Sequence, residues 1–278
     1  MYLPTFHTPA PRLPRIMSHL DLEPVRTEFR QTVARVSPLH LELAQRTLER
    51  IPAARWQLEW FLPWWLGEAF GLEENTARQF VLSNVLGLAA VRLQDDLADG
   101  DVAPGEMDSV SEFTRTLTKA ALDMYRPYFP PNSRFWTYAA SYMAEWRAAT
   151  AAVNRLNLAD LWVLNELKHA PTQCLAHLGS PLKIGARAVC ELSSGERFSG
   201  LDELLDHSLI AAVLHDHAVD CNADLRAGRW NLFVAAVSPL PQTRAHEQEN
   251  RASVVEAWMT RKTPRLYFEQ IALHIERA

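Results

Sequence analysis

Between positions 73 and 99 the chain runs without a proline, and an apolar stretch, FVLSNVLGLAAVRLQ, leads directly into a group of aspartates. Apolar residues recurring every three or four positions over that length predict a helix with a buried face. The same spacing recurs at 22–34, 38–50, 53–70, 106–126, 133–155, 157–169, 181–192, 201–225, 227–237, 242–261 and 264–276. Glycine and proline punctuate it at 71, 100–105, 127–132, 171, 179–181, 199–200, 228 and 238–241. Ten glycines in 278 residues leave few breaks, and the period-two alternation of strands is hard to find. The expectation is an all-α chain. One helical domain over 21–278 follows an extended arm at 1–20, where Pro4, Pro9, Pro11 and Pro14 oppose a helix.

Composition narrows the classes. Three widely spaced cysteines, Cys174, Cys190 and Cys221, form neither a disulfide framework nor a paired zinc spacing, so a reducing, cytoplasmic setting is expected. No stretch is apolar for the roughly 18 residues that a membrane span needs. No basic segment followed by an apolar run reads as a leader. A net charge of −5 offers nucleic acid no basic face.

The charge is unevenly placed. Asp95, Asp96, Asp99 and Asp101 fall within one short stretch that has no Lys or Arg. They lie at the end of a helix, where the backbone dipole favours cations. Asp95 and Asp99 are i,i+4 neighbours, a like-charge pair costing roughly 0.2–0.5 kcal/mol. Arg92 is one turn earlier and can pair with Asp95 or Asp96. A second acidic face, Asp216, Asp220 and Asp224, recurs every four residues after the apolar run LIAAVL. Each step of four drifts only about 40° round a helix, so the three share a face. No Lys or Arg falls between Asp202 and Asp224. Solvated helix ends account for either cluster alone. Two such clusters, both following apolar helix and both opposing the dipole, point to a bound divalent cation. Mg²⁺ takes oxygen ligands, few of them carboxylates, and completes its shell with water or phosphate oxygens.

DDLAD, 95–99, resembles the DDxxD motif of class I isoprenoid enzymes. Asp216-x₃-Asp220-x₃-Asp224 has the spacing of the N/D-x₃-S/T-x₃-E motif of class I terpene synthases, and also resembles the second aspartate-rich motif of trans-prenyltransferases. DCNADLRAGRWNLF is similar to the D-x₃-D-x₃-G-R stretch of squalene and phytoene synthases, in which register Asp220 and Asp224 form the pair. The resemblance implies a single-domain helical bundle of the class I terpenoid synthase type with a central cavity. It implies that Asp95, Asp96 and Asp99 serve two Mg²⁺ ions, Asp96 less directly, and that Asp216, Asp220 and Asp224 serve a third. The substrate it implies is an allylic prenyl diphosphate, ionised with metal help and converted to a terpene hydrocarbon or alcohol. Homodimers are common in the family. Elongating prenyltransferases follow DDxxD with paired arginines and carry a Gly-Gly-Lys-Arg-like element upstream. This chain continues GDVAPGEM and lacks the upstream element, which favours a cyclase. A prenyltransferase of the head-to-tail or squalene/phytoene type is the alternative, and a non-catalytic helical binding protein the second.

A diphosphate also needs cationic donors. Arg229 follows the second motif and is the first candidate, with Arg226 beside it. Lys183 and Arg187 on the preceding helix are alternatives, and Arg265 with Tyr267 resembles the family's Arg-Tyr pair. Aromatic residues at helical spacing, Trp60, Phe61, Trp64 and Trp65, then Tyr138, Tyr142 and Trp146, either line a cavity where π faces steady a carbocation or fill a core. Rival chemistries are weaker. His215–Asp216 alone does not make an HD phosphohydrolase, and Glu166-x₂-His169 has no second copy for a di-iron bundle.

Overall fold

A computed structural model describes residues 20–54, 56–155, 172–193, 200–227, 231–238, 244–260 and 262–277. Side chains are described at these positions except 99, 152–155, 172–174, 227, 244, 257–259, 262–268 and 270. The extended arm expected at 1–20 and the helix expected at 157–169 lie outside the described residues, save Leu20. Among the described residues the regular structure is helical and no strand occurs, as the periodicity implies.

The helices are α1 (Leu22–Val36), α2 (Leu41–Arg50), α3 (Gln57–Phe70), α4 (Glu74–Asp99), α5 (Met107–Asp123), α6 (Arg134–Arg155), α7 (Thr172–Leu178), α8 (Leu182–Leu192), α9 (Leu201–Ala227), α10 (Leu232–Val237), α11 (Glu247–Thr260) and α12 (Lys262–Arg277). The chain divides into two compact units. One comprises Met1–Phe135 with Gly185–Gly195, the other Trp136–Ile184 with Glu196–Ala278.

In the first unit α4 is the axis, packing against α1, α2, α3 and α5. Ala77, Val81, Val85, Ala89 and Leu93 form one i,i+4 ladder of α4 and Leu82, Leu86 and Ala90 a second, all buried. They meet Val25, Phe29 and Val33 of α1, Leu48 of α2, Trp60 and Trp64 of α3, and Phe113 and Leu117 of α5. Gly71 and Gly100 end α3 and α4 in the left-handed region, with φ of 70° and 74°, where a side chain would be strained.

Proline lies inside α3, at Pro63. Its ring nitrogen carries no hydrogen, so the carbonyl of Glu59 one turn earlier loses its usual donor. The side chain of Asn84, buried in the middle of α4, supplies a replacement: its Nδ2 donates to the Glu59 carbonyl at 3.2 Å. An asparagine amid the apolar run FVLSNVLGL thus satisfies a helix that proline would otherwise leave short of a bond.

In the second unit α9 plays the axial role. It packs against α7, α10, α11 and α12. Ile210, Leu214, Ala218, Cys221 and Leu225 form its buried stripe and meet Leu175 of α7, Phe233 of α10, Val254 of α11 and Ile271 of α12. The short helix α7 has no counterpart in the sequence reading. It spans only two turns, too few for periodicity to register.

Candidate functional site: two acidic helix ends

The first acidic group closes α4. Asp96 is 6% exposed and its carboxylate is gripped end-on by Arg50, the last residue of α2. Nη1 reaches Oδ2 at 2.5 Å and Nη2 reaches Oδ1 at 2.8 Å, a two-pronged, charge-assisted pair. Arg92, one turn back on α4, adds a weaker pair with Nε 3.8 Å from Oδ1. Hydrogen bonding to Asp96 raises the Arg50 pKa above its ordinary value, with the charge of Asp101 adding to it. The Asp96 backbone carbonyl is occupied as well, accepting from the Gly100 and Asp101 N–H groups that cap the helix. Asp95 is half-buried and Asp101 exposed. Asp99 is the last helical residue, and its side chain lies outside the described residues.

The second acidic group lies on α9. Asp216 is exposed, while Asp220 and Asp224 are half-buried. Asp224 is tied into the fold through Asn231, which is fully buried and caps α10. Asn231 Nδ2 donates to Asp224 Oδ2 at 2.7 Å and to the His217 carbonyl at 2.9 Å. Its Oδ1 accepts from the Val234 N–H at 3.1 Å. The next residue completes the joint: the Leu232 N–H donates to His217 Nδ1 at 2.9 Å. That acceptor role places the His217 proton on Nε2 and leaves the ring neutral. Burial pushes its pKa down to about 4, against a smaller opposing pull from Asp220. The helix expected from 227 therefore starts at Leu232, because Asn231 caps it instead of joining it.

The cationic candidates divide. Lys183 is 3% exposed and ion-pairs with Asp206. Its Nζ lies 4.0 Å from a Glu145 oxygen and 5.5 Å from the centre of the Tyr142 ring. Tyr142 donates to Asp202 Oδ1 at 2.6 Å, and Ser180 donates to Glu145 at 2.8 Å. Lys183 is thus enclosed in a network with internal carboxylates. Arg187 is buried, and Arg226 is exposed. Arg229, and the side chains of Arg265 and Tyr267, lie outside the described residues.

The aromatic candidates divide too. Trp60 is 1% exposed in the core of the first unit and donates from Nε1 to the Ile51 carbonyl at 2.9 Å. Trp64 is buried in the same core. Phe61 and Trp65, half-buried, stack with centroids 5.7 Å apart. In the second unit Tyr142 and Trp146 are buried, and Tyr138 stacks on Tyr142 at 6.5 Å.

Sequence reasoning missed Arg50, Asn231, Glu145, Asp202 and Asp206. Only the last two carried a signal: they repeat the i,i+4 spacing of Asp216, Asp220 and Asp224 along α9. Arg50 stands 46 residues from its partner, beyond any local pattern.

The donor chemistry suits Mg²⁺. The groups are hard carboxylate oxygens, and among the described residues no three potential ligands converge on one point. An ion held by one or two carboxylates, with water and phosphate oxygens completing the shell, is the usual Mg²⁺ arrangement. Asp96 is bound inside the fold by Arg50, and Asp224 by Asn231. No family model, no curated protein and no solved structure matches this chain.

Proposed function

We propose that this protein is a Mg²⁺-dependent enzyme of the class I terpene synthase type, acting on an allylic prenyl diphosphate. The observation that supports the reading best is the pair of acidic motifs, DDLAD and Asp216-x₃-Asp220-x₃-Asp224. Each stands on the C-terminal half of the long axial helix of its unit, in an all-helical chain. Asp95 and Asp99 are the candidates to hold metal at the first motif, and Asp216 and Asp220 at the second. Bound Mg²⁺ would supply charge stabilisation for a departing diphosphate. The chain's own part is to orient that group and to surround the prenyl chain with apolar and aromatic side chains. Phe61 and Trp65 in the first unit, and Tyr138 in the second, are the aromatic candidates that are not fully buried.

The test is product analysis by gas chromatography–mass spectrometry after incubation with C10, C15, C20 and C25 prenyl diphosphates, with and without Mg²⁺. The reading requires a Mg²⁺-dependent hydrocarbon or alcohol from at least one chain length, lost in Asp95→Ala and Asp220→Ala. A product that forms only when isopentenyl diphosphate is added points to the prenyltransferase alternative. A non-catalytic helical binding protein is favoured by one specific observation: Asp96 and Asp224 are engaged by Arg50 and Asn231, so part of the acidity serves the fold. That reading requires that Mg²⁺ and pyrophosphate leave the protein's stability unchanged.

A further inference from the structure

We infer that Ser37, His40 and Ser109 form a hydroxyl–imidazole–hydroxyl relay in which Ser109 is a nucleophile, acting on neutral esters with an apolar acyl group. This activity is independent of the proposed function and needs no metal. All three residues belong to the first unit. Ser37 caps the end of α1, His40 ends the 3₁₀ turn Pro38–His40, and Ser109 stands in the first turn of α5. The imidazole is engaged at both nitrogens. Nε2 lies 2.8 Å from Ser109 Oγ, and Nδ1 lies 2.7 Å from Ser37 Oγ. The ring also stacks on the fully buried Phe113, with centroids 4.7 Å apart and planes 11° from parallel. The core therefore sets the ring's tilt, and two hydroxyls set its rotation. A nucleophile bonded to a base, with the base oriented by a third group, is the arrangement that activates a serine. With its proton on Nδ1 the ring donates to Ser37, and Nε2 accepts from the Ser109 hydroxyl.

Ser109 is exposed, so a carbonyl carbon can reach its oxygen. Oγ would attack that carbon while its proton passes to Nε2. The bond to the alcohol oxygen then breaks, and the alcohol leaves with that proton. Water attacks the acyl-serine, giving a proton to Nε2. The carboxylic acid departs as Ser109 recovers its own. The dipole of α5 favours negative charge near its first turn, where the oxyanion would develop. The surroundings select the substrate. Among the described residues nine large apolar side chains are exposed, and four of them, Val36, Leu39, Leu41 and Met107, lie within two positions of the relay residues. Leu39 is 94% exposed. Glu106 and Asp108, both exposed, precede Ser109 and oppose an anionic substrate.

The experiment treats the full chain, in excess chelator, with an alkyl fluorophosphonate, which phosphonylates an activated serine with loss of fluoride. Peptide mass spectrometry maps the adduct. A single adduct on Ser109 is expected, absent in Ser109→Ala. General-base assistance contributes at least about a hundredfold, so His40→Gln should label about a hundredfold more slowly. Ser37→Ala, which removes a positioning residue, should slow labelling less and shift its pH dependence. p-Nitrophenyl octanoate should be hydrolysed faster than the acetate, and Leu39→Ser should narrow that difference. No adduct on wild-type Ser109, an adduct chiefly on another serine, or a His40→Gln rate equal to the wild-type rate overturns the inference. The three residues are then a clasp between the end of α1 and α5. Equal rates on the two esters overturn the assignment of the acyl group. Should His40→Gln not fold, the wild-type labelling rate decides. It must fall as pH is lowered from about 8 to about 5, the range in which an imidazole gains its charge. A rate that stays flat overturns the inference.

Discussion

The histidine at 217 shows how one side chain ties chemistry to the fold. Its Nδ1 is an acceptor for the Leu232 N–H, so protonating that atom breaks a bond, and burial disfavours the charge besides. An unfolded chain protonates the ring near 6.5, the folded one only near 4. Between those values the unfolded state holds more protons, so stability rises with pH. Acidification from pH 6.5 to 4 is therefore expected to remove roughly 3 kcal/mol through this residue alone. His217→Asn keeps an oxygen acceptor near the Nδ1 position and has nothing to protonate. Urea titrations at pH 7 and pH 4.5 in the presence of a chelator should show the wild-type protein losing more stability than His217→Asn. Equal losses would contradict the assignment. Lys183 gives a second prediction at this scale. Lys183→Met removes the cation from a buried site and leaves Asp206 without its counter-charge. Breaking a buried pair from one side costs about 3–5 kcal/mol. The denaturation midpoint should fall accordingly, and Asp206→Asn in the same background should recover part of the loss.

Helices were readable in the sequence where length and capping agree. The stretch 73–99 matches α4 to within a residue because its apolar ladders are long and Gly100 stops it in a conformation that few other residues accept. The stretch 227–237 fails at its start, because Asn231 turns from helix former to cap once its side chain finds Asp224 and the His217 carbonyl. The first turn expected at 38–50 is a 3₁₀ turn at Pro38–His40 before α2 proper. Pro63 and Asn84 carry the element-scale prediction. If Asn84 serves chiefly to replace the hydrogen bond that Pro63 removes, Asn84→Ala should cost about 1–2 kcal/mol in the wild-type background. In Pro63→Ala, where residue 63 regains its N–H, the same substitution should cost clearly less. A double-mutant cycle by chemical denaturation measures the difference, and additive losses would show that the two residues act separately.

At the scale of the whole molecule, the all-helical class was legible from periodicity and the scarcity of glycine, because both report local physics. The division into two compact units was not, since no Pro- or Gly-rich linker marks it and the first unit takes a second, distant segment, Gly185–Gly195. The acidic groups were visible as charge in the sequence, but their partners were not. Whether an aspartate faces solvent, a metal or an arginine is decided by what the fold brings to it: Arg50 for Asp96, Asn231 for Asp224.

That distinction shapes the last prediction. Asp96 and Asp224 are engaged internally, and Mg²⁺ commonly takes few carboxylates and completes its shell with oxygens from elsewhere. Mg²⁺ alone and pyrophosphate alone should each stabilise the protein little, and the two together far more. At concentrations a hundredfold above the dissociation constant of the joint complex, linkage supplies about 2.7 kcal/mol. For a chain of this size that corresponds to a rise of roughly 5 °C in melting temperature. Asp95→Ala and Asp220→Ala should each abolish the joint effect. Asp101→Ala, which removes an exposed acid outside both motifs, should retain it. If instead Mg²⁺ alone gives the full rise, the ion is held by protein ligands only, and the diphosphate is not part of its shell.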